Sequence, residues 1–182
     1  MYYIIRNDLK IAGATDINIP QVWENHSIIS GKKIKKGLPP IEFTVKYKST
    51  MPDFIPNIWR YIVLNEKAIN AILSVCSAED VEFHPCLLKN TVTKSINKNY
   101  FIANILNFED VIDLGKSQIE YTDVENIIGV EKVIINSNIV NHNIFRTKNF
   151  IPLECCTQEL MDKINSLNLN GIYFKPLEEY TL

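Results

Sequence analysis

The sequence predicts an α+β protein, a mixed or antiparallel sheet with two short amphipathic helices, and three observations predict it. Ile41, Phe43, Val45 and Tyr47 alternate with Glu42, Thr44, Lys46 and Lys48, the period-2 signature of a strand with one wet face. Ile69, Ile72, Leu73 and Cys76 recur at the i, i+3, i+4, i+7 spacing of one helical face, which predicts a helix of about three turns. The strands group around short helices and do not alternate with long ones, which favours α+β over a doubly wound parallel sheet.

In chain order, Tyr2 to Arg6 is a short β-rich run that would tie the N-terminus into a sheet. Residues 7–40 are punctuated by Gly13, Pro20, Gly31, Gly37 and Pro39-Pro40 and read as a long loop-rich segment anchored by Val22-Trp23. After the strand at Ile41, a turn at Pro52, Asp53 and Pro56 leads to the apolar run Ile58 to Leu64, which suits a central strand. Asn65 is placed to cap the helix, with Glu66 in the first turn facing the positive end of its dipole. Val81 to Leu88 is a strand whose Pro85 lacks a ladder donor and argues for an edge or a bulge. Lys89 to Asn99 reads as a hairpin-like connection, and Tyr100 to Leu106 as its return strand. Beyond it, Val133 to Ile135 and Phe145 are short core contributors around an Asn-rich loop at 136–143.

The last element repeats an earlier one. A slide of 91 residues places Val81-Glu82-Phe83-His84-Pro85 on Ile172-Tyr173-Phe174-Lys175-Pro176, and Ile69 and Leu73 on Leu160 and Ile164, with Asn65 or Thr157 at the helix cap. Two related strand-helix-strand units are expected. At 182 residues one compact domain is the expectation. Residues 1–50 would form a loop-rich segment with strands packed on a main α+β fold at residues 51–182.

Apolar residues are 46% of the chain and charged residues 22%, ordinary globular usage far from the disordered corner. Nineteen Lys and Arg against twenty-one Asp and Glu give a net charge of −2, without the positive field that a nucleic-acid backbone attracts. Charges arrive by Arg6 with no apolar signal region after them, and no apolar run approaches the roughly eighteen residues of a membrane span. A cytoplasmic protein with no nucleic-acid or membrane partner is expected. Charge is nonetheless patterned. Lys32, Lys33, Lys35, Lys36, Lys46 and Lys48 face Glu42 alone, whereas Glu109, Asp110, Asp113, Glu120, Asp123, Glu125 and Glu131 face Lys116 alone.

Reaction chemistry finds little support. Glycine-rich phosphate loops and a GxSxG elbow are absent, and His26, His84 and His142 have no HExxH or HxH partner. Cys76, His84 and Cys86 lack the spacing of a zinc site, so neither metal nor cofactor is expected. Two enzyme options stand as alternatives, both of the small-hydrolase kind. Asp110 and Asp113 form an Asp-x-x-Asp pair that also caps turns, and Cys156 follows Cys155 just before a predicted helix N-terminus, where a dipole lowers a thiol pKa. A ligand-binding or scaffolding domain is a further alternative.

One ordered set of segments goes further. Pro52-Asp53-Phe54, Tyr61 to Glu66, Val81 to Pro85, Tyr100 to Leu106 leading to Asp110-Val111-Ile112-Asp113 and Ser117, Ile144-Phe145-Arg146, and Gly171 to Pro176 resemble, in that order, the polymorphic-toxin immunity proteins called immunity protein eleven. The resemblance covers about residues 50–178. It implies an α+β protein, not an enzyme, made beside a secreted toxin that it binds and neutralises in the producing or kin cell. The family brings no catalytic residues to carry over. By analogy with acidic inhibitors that meet basic toxin clefts, the expected contact surface is Asp110, Asp113, Glu120, Asp123 and Glu125.

Overall fold

The computed structural model describes residues 1–23, 31–34, 37–122, 124, 126–136 and 140–182; His26, Lys35, Lys36, Asp123 and Glu125 lie outside the described residues. In chain order the elements are β1 (Tyr2–Asn7), β2 (Ala14–Asn18), β3 (Ile41–Val45), β4 (Ile62–Asn65), α1 (Glu66–Leu73), β5 (Val81–Asn90), β6 (Ser95–Ile105) and β7 (Phe108–Glu109). There follow β8 (Gln118–Tyr121), β9 (Ile127–Lys132), β10 (Ile144–Thr147), β11 (Glu154–Thr157), α2 (Gln158–Ser166) and β12 (Ile172–Pro176). One sheet has the order β12-β1-β11-β10-β7, a second β2-β3-β5-β6-β4, and β8 pairs with β9 as a separate hairpin. The fold is α+β with mixed and antiparallel sheets, as the sequence predicts.

The segments β4-α1-β5 and β11-α2-β12 are one arrangement used twice. In each, the strands flanking the helix are bridged by a strand antiparallel to both, β6 in the first and β1 in the second. β6 follows β5 directly through the turn at 91–94, whereas the place beside β12 is filled by the chain's own first strand. The helices align at a shift of 92 residues, one more than the exit strands: Leu64, Ala68 and Ile72 correspond to Cys156, Leu160 and Ile164, all buried. The helical face expected at Ile69, Ile72 and Leu73 is therefore rotated by one position. Ala68, Ala71 and Ile72 point inward, Ile69 is only partly covered and Leu73 is exposed.

The two helices run antiparallel, each start tied to the other's end. Asn65 Oδ1 accepts the Ala68 N–H at 3.0 Å, the expected cap, and Asn65 Nδ2 donates to Asp53 Oδ1 at 3.0 Å. Asp53 N–H donates to Asn170 Oδ1 at 2.9 Å, Asn170 N–H returns to Asp53 Oδ2 at 3.3 Å, and Phe54 N–H reaches Asn170 O at 2.9 Å, just beyond α2. At the other end the Thr157 hydroxyl does not cap α2; it donates to Asn143 Oδ1 at 2.7 Å, and Asn143 Nδ2 donates to Val75 O at 2.6 Å, just beyond α1. Asn143 thus does for α2 what Asp53 does for α1.

Alternation along the strands sends side chains into three buried clusters. Tyr3 and Ile5 of β1, Leu64 of β4 and Ile105 of β6 share a central core with Ala68, Ile72, Leu160 and Ile164 of the helices. On the far side of the second sheet, Ile41, Phe43 and Val45 of β3 pack with Leu88 and Ile102 beneath Trp23 and Ile34. On the far side of the first, Ile4, Phe145 and Cys155 pack beneath Val111, Val130, Val133 and Leu177. The loop-rich reading of residues 7–40 needs correction at β2, which pairs with β3, and at Val22, which is exposed; of that pair Trp23 is the buried anchor, its Nε1 donating to Pro39 O at 2.8 Å. In β5, Pro85 precedes the first residue paired with β3, and a bulge follows at Cys86–Leu88, one of the two outcomes a strand proline allows. The hairpin connection is shorter than expected, because β5 and β6 extend to Asn90 and from Ser95.

The run Ile58 to Leu64 is not a central strand. Only Ile62–Asn65 is extended, at the sheet edge, and Ile58 is 74% exposed. Asn57 is responsible: its Oδ1 accepts the Tyr61 N–H at 3.0 Å and its Nδ2 donates to Tyr61 O at 2.7 Å and Ile55 O at 3.1 Å, closing a turn. A side chain that mimics a backbone partner overrides the local β-propensity of its neighbours.

Gly171 sits at φ +103°, and a Cβ there would lie 1.8 Å from Phe54 O. Gly171→Ala should therefore lower the unfolding free energy by more than about 2 kcal/mol, read as a fall in the urea midpoint at unchanged slope. Asn65→Ala should cost about 1–2 kcal/mol by loss of the cap; equal stability of either variant with the parent would contradict this account.

Candidate functional site

The acidic segment folds into the β8–β9 hairpin and the turns before it. Asp113 holds a turn: its Oδ1 accepts the Lys116 N–H at 3.2 Å, and its Oδ2 meets Lys116 Nζ at 2.8 Å. Hydrogen bonding from Lys116 lowers the Asp113 pKa, so its charge is largely answered within the chain. Asp110 is exposed, as is Glu120. Glu120 faces Gly129 across the hairpin, where a Cβ would come within 2.8 Å of its Oε2; the bare glycine lets this carboxylate lie over β9. Asp123 and Glu125 lie outside the described residues. Around Glu120 the hairpin exposes Tyr121, Ile128 and Val124, the last at 75%. The chain end joins it, because Leu182 and Val130 exchange backbone hydrogen bonds at 3.1 and 3.4 Å. Sequence reading found the acids here but not the apolar side chains displayed among them.

The residues considered for chemistry are committed elsewhere. Cys155 and Cys156 point to opposite faces of β11 into two cores, and burial pushes both thiols well up from their ordinary range. Desolvation outweighs the nearby helix dipole, so the Cys156 sulfur is held as a thiol and kept from solvent. Cys86 and Cys76 are likewise pushed up to about 12 by burial. His84 Nε2 lies 3.3 Å from Glu82 Oε2, with its ring edge-on to Trp23. His142 Nδ1 lies 2.5 Å from Glu109 Oε1, and Asn141 N–H donates to the same oxygen. The first pair lies within β5 against Trp23, and the second ties the residues before β10 to β7. Among the described residues, no group of three or more His, Cys, Asp and Glu side chains is placed to hold a metal ion.

A second feature has no counterpart in the sequence reading. A cleft of about 460 Å³ opens between the turn at 57–60 and the β1–β12 pair. Arg6, Arg60 and Lys175 line it, with Leu9, Ile58 and Tyr173 exposed along it. Glu154 is the carboxylate in its wall, and that group lies 3.5 Å from Nε of the buried Arg146, whose Nη1 donates to Ile105 O at 2.7 Å. The three cations come from positions more than fifty residues apart, so no local charge run announces them.

Reaction with dithionitrobenzoate near neutral pH should leave all four cysteines unmodified over minutes and titrate all four after denaturation. Rapid labelling of Cys156 in the native chain would contradict its burial.

No curated protein matches the chain. The immunity protein family (Imm11) matches residues 17–179, a span that takes in both strand-helix-strand units, the acidic hairpin and most of the cleft, and the chain belongs to that family.

Proposed function

We propose that this chain neutralises a cognate toxin encoded nearby, in the cytoplasm of the producing or kin cell, by non-covalent occlusion. Family membership supports an immunity role. The observation that carries the binding surface is the β8–β9 hairpin, where acidic Glu120 stands among exposed Tyr121, Val124 and Ile128. Apolar anchors ringed by like charges are the composition of a strong protein interface, the anchors slowing dissociation and the charges speeding encounter. Exposed Asp110 adds charge to the same acidic segment, as Asp123 and Glu125 do in sequence, whereas Asp113 contributes by bracing its turn. Silencing a lethal enzyme calls for a complex of about nanomolar affinity, roughly −12 kcal/mol, with on the order of 1,600 Å² buried. A basic, substrate-binding surface on the toxin is the complement.

Co-expression with the neighbouring toxin should restore growth and yield a co-purifying complex; failure of both would overturn the proposal. Reversal of Glu120, Asp123 and Glu125 to Lys should slow association about tenfold or more at low salt, with the difference shrinking as salt rises. Tyr121→Ala with Val124→Ser should act instead on dissociation. Unchanged kinetics in both variants would place the contact surface elsewhere.

A further inference from the structure

The cleft between the turn at 57–60 and the β1–β12 pair is built, and its chemistry is opposite to that of the hairpin. One wall is held rigid. Asn57, only 3% exposed, closes its turn with three side-chain bonds and is held in place by Asn7 Nδ2, which donates to Asn57 O at 2.9 Å. Inside the turn, Trp59 and Tyr61 pack on Phe43 with ring centroids 6.3 and 6.2 Å away. What this framework displays is Ile58, left exposed, and Arg60, held at φ +63° in the left-handed region that a non-glycine residue seldom occupies. An aliphatic side chain and a guanidinium fixed at a cleft mouth lose little conformational freedom when a partner arrives.

The opposite wall supplies the remaining charge. Arg6 lies with its guanidinium carbon 5.8 Å from the Tyr180 ring centroid, and Lys175 stands on β12 beside half-exposed Tyr173. Among the described residues, none of Arg6, Arg60 and Lys175 forms an ion pair. Glu154 is already matched by Arg146, so the cleft is positive in a chain whose net charge is −2. β12 is also the outermost strand of its sheet, so an extended segment lying here has an edge strand to run along.

We infer that this cleft receives an extended acidic segment carrying apolar side chains, contributed by the toxin partner. The inference rests on the immunity reading for the identity of the partner. Carboxylates of the segment would meet Arg6, Arg60 and Lys175, and its apolar side chains would cover Leu9, Ile58 and Tyr173. With the hairpin engaging a basic surface, the chain then holds its partner by two patches of opposite sign, and a competitor must satisfy both.

The cleft is tested without the toxin. The full chain is titrated with a blocked hexapeptide of alternating Asp and Leu, and with its Lys and Leu counterpart, while backbone amide shifts are followed. The acidic peptide should bind saturably, at least about tenfold more tightly than the basic one, with shifts centred on residues 6–9, 58–60 and 172–175. Arg60→Gly, which keeps the left-handed turn, combined with Lys175→Gln should weaken binding at least about tenfold with the spectrum elsewhere unchanged. Equal response to both peptides, no saturable response, or saturation of the same amides by inorganic phosphate with no peptide preference would each overturn the inference. Growth rescue by the parent chain is scored in parallel. Rescue without peptide binding sinks the cleft and spares the immunity reading; peptide binding without rescue sinks the immunity reading and leaves an acidic-segment receptor.

Discussion

Asp53 stands between two pieces of chain more than a hundred residues apart and joins them. Its carboxylate takes the Asn65 side-chain amide on one side and the Asn170 N–H on the other, so the cap of α1 and the exit from α2 are fixed by one residue. Asn143 makes the converse link, from the start of α2 to the end of α1. A helix of eight or nine residues is marginal alone, and here each owes its position to its partner's terminus as well as to the shared apolar core. The nearby close approach of Gly171 to Phe54 O leaves no room for a side chain.

That constraint decides what the surface displays. Once the helix pair and the two sheets share a central core, the outer faces of the sheets must be covered by something else. The segment around Trp23 and Ile34 covers one, and the Val130 hairpin with Leu177 and Tyr180 covers the other. The hairpin is thus tied down through its inward side chains, with Tyr121, Val124, Ile128 and Glu120 left exposed. The cleft arises in the same way, where the Asn57 turn delays the start of β4 and leaves space beside β12. The surfaces proposed for binding are by-products of how covering loops are pinned.

What the sequence discloses is what is local. The alternation of Ile41, Phe43 and Val45, the Asn65 cap and the proline-marked bulge in β5 each rest on neighbours within a few residues, and each is found. The strand-helix-strand repeat is legible too, although its helical register is off by one because the second connection is a residue shorter. The place of β1 between β11 and β12 is not legible, since pairing with strands more than 150 residues further along the chain leaves no local trace. Ile58 to Leu64 misleads because its composition is that of a strand while Asn57, just before it, imposes a turn. Of the two charged surfaces, the acidic one is contiguous in sequence and visible there. The basic one is assembled from Arg6, Arg60 and Lys175 by the fold alone.

The central claim is that the chain acts as a complementary surface and transforms nothing. Stoichiometric titration of the purified toxin tests it most directly, with toxin activity followed against added chain and both proteins weighed by intact mass spectrometry afterwards. Activity should fall in proportion to added chain and vanish near one equivalent per toxin, with both masses unchanged. Silencing by a small fraction of an equivalent, or a changed toxin mass, would show turnover and contradict the account.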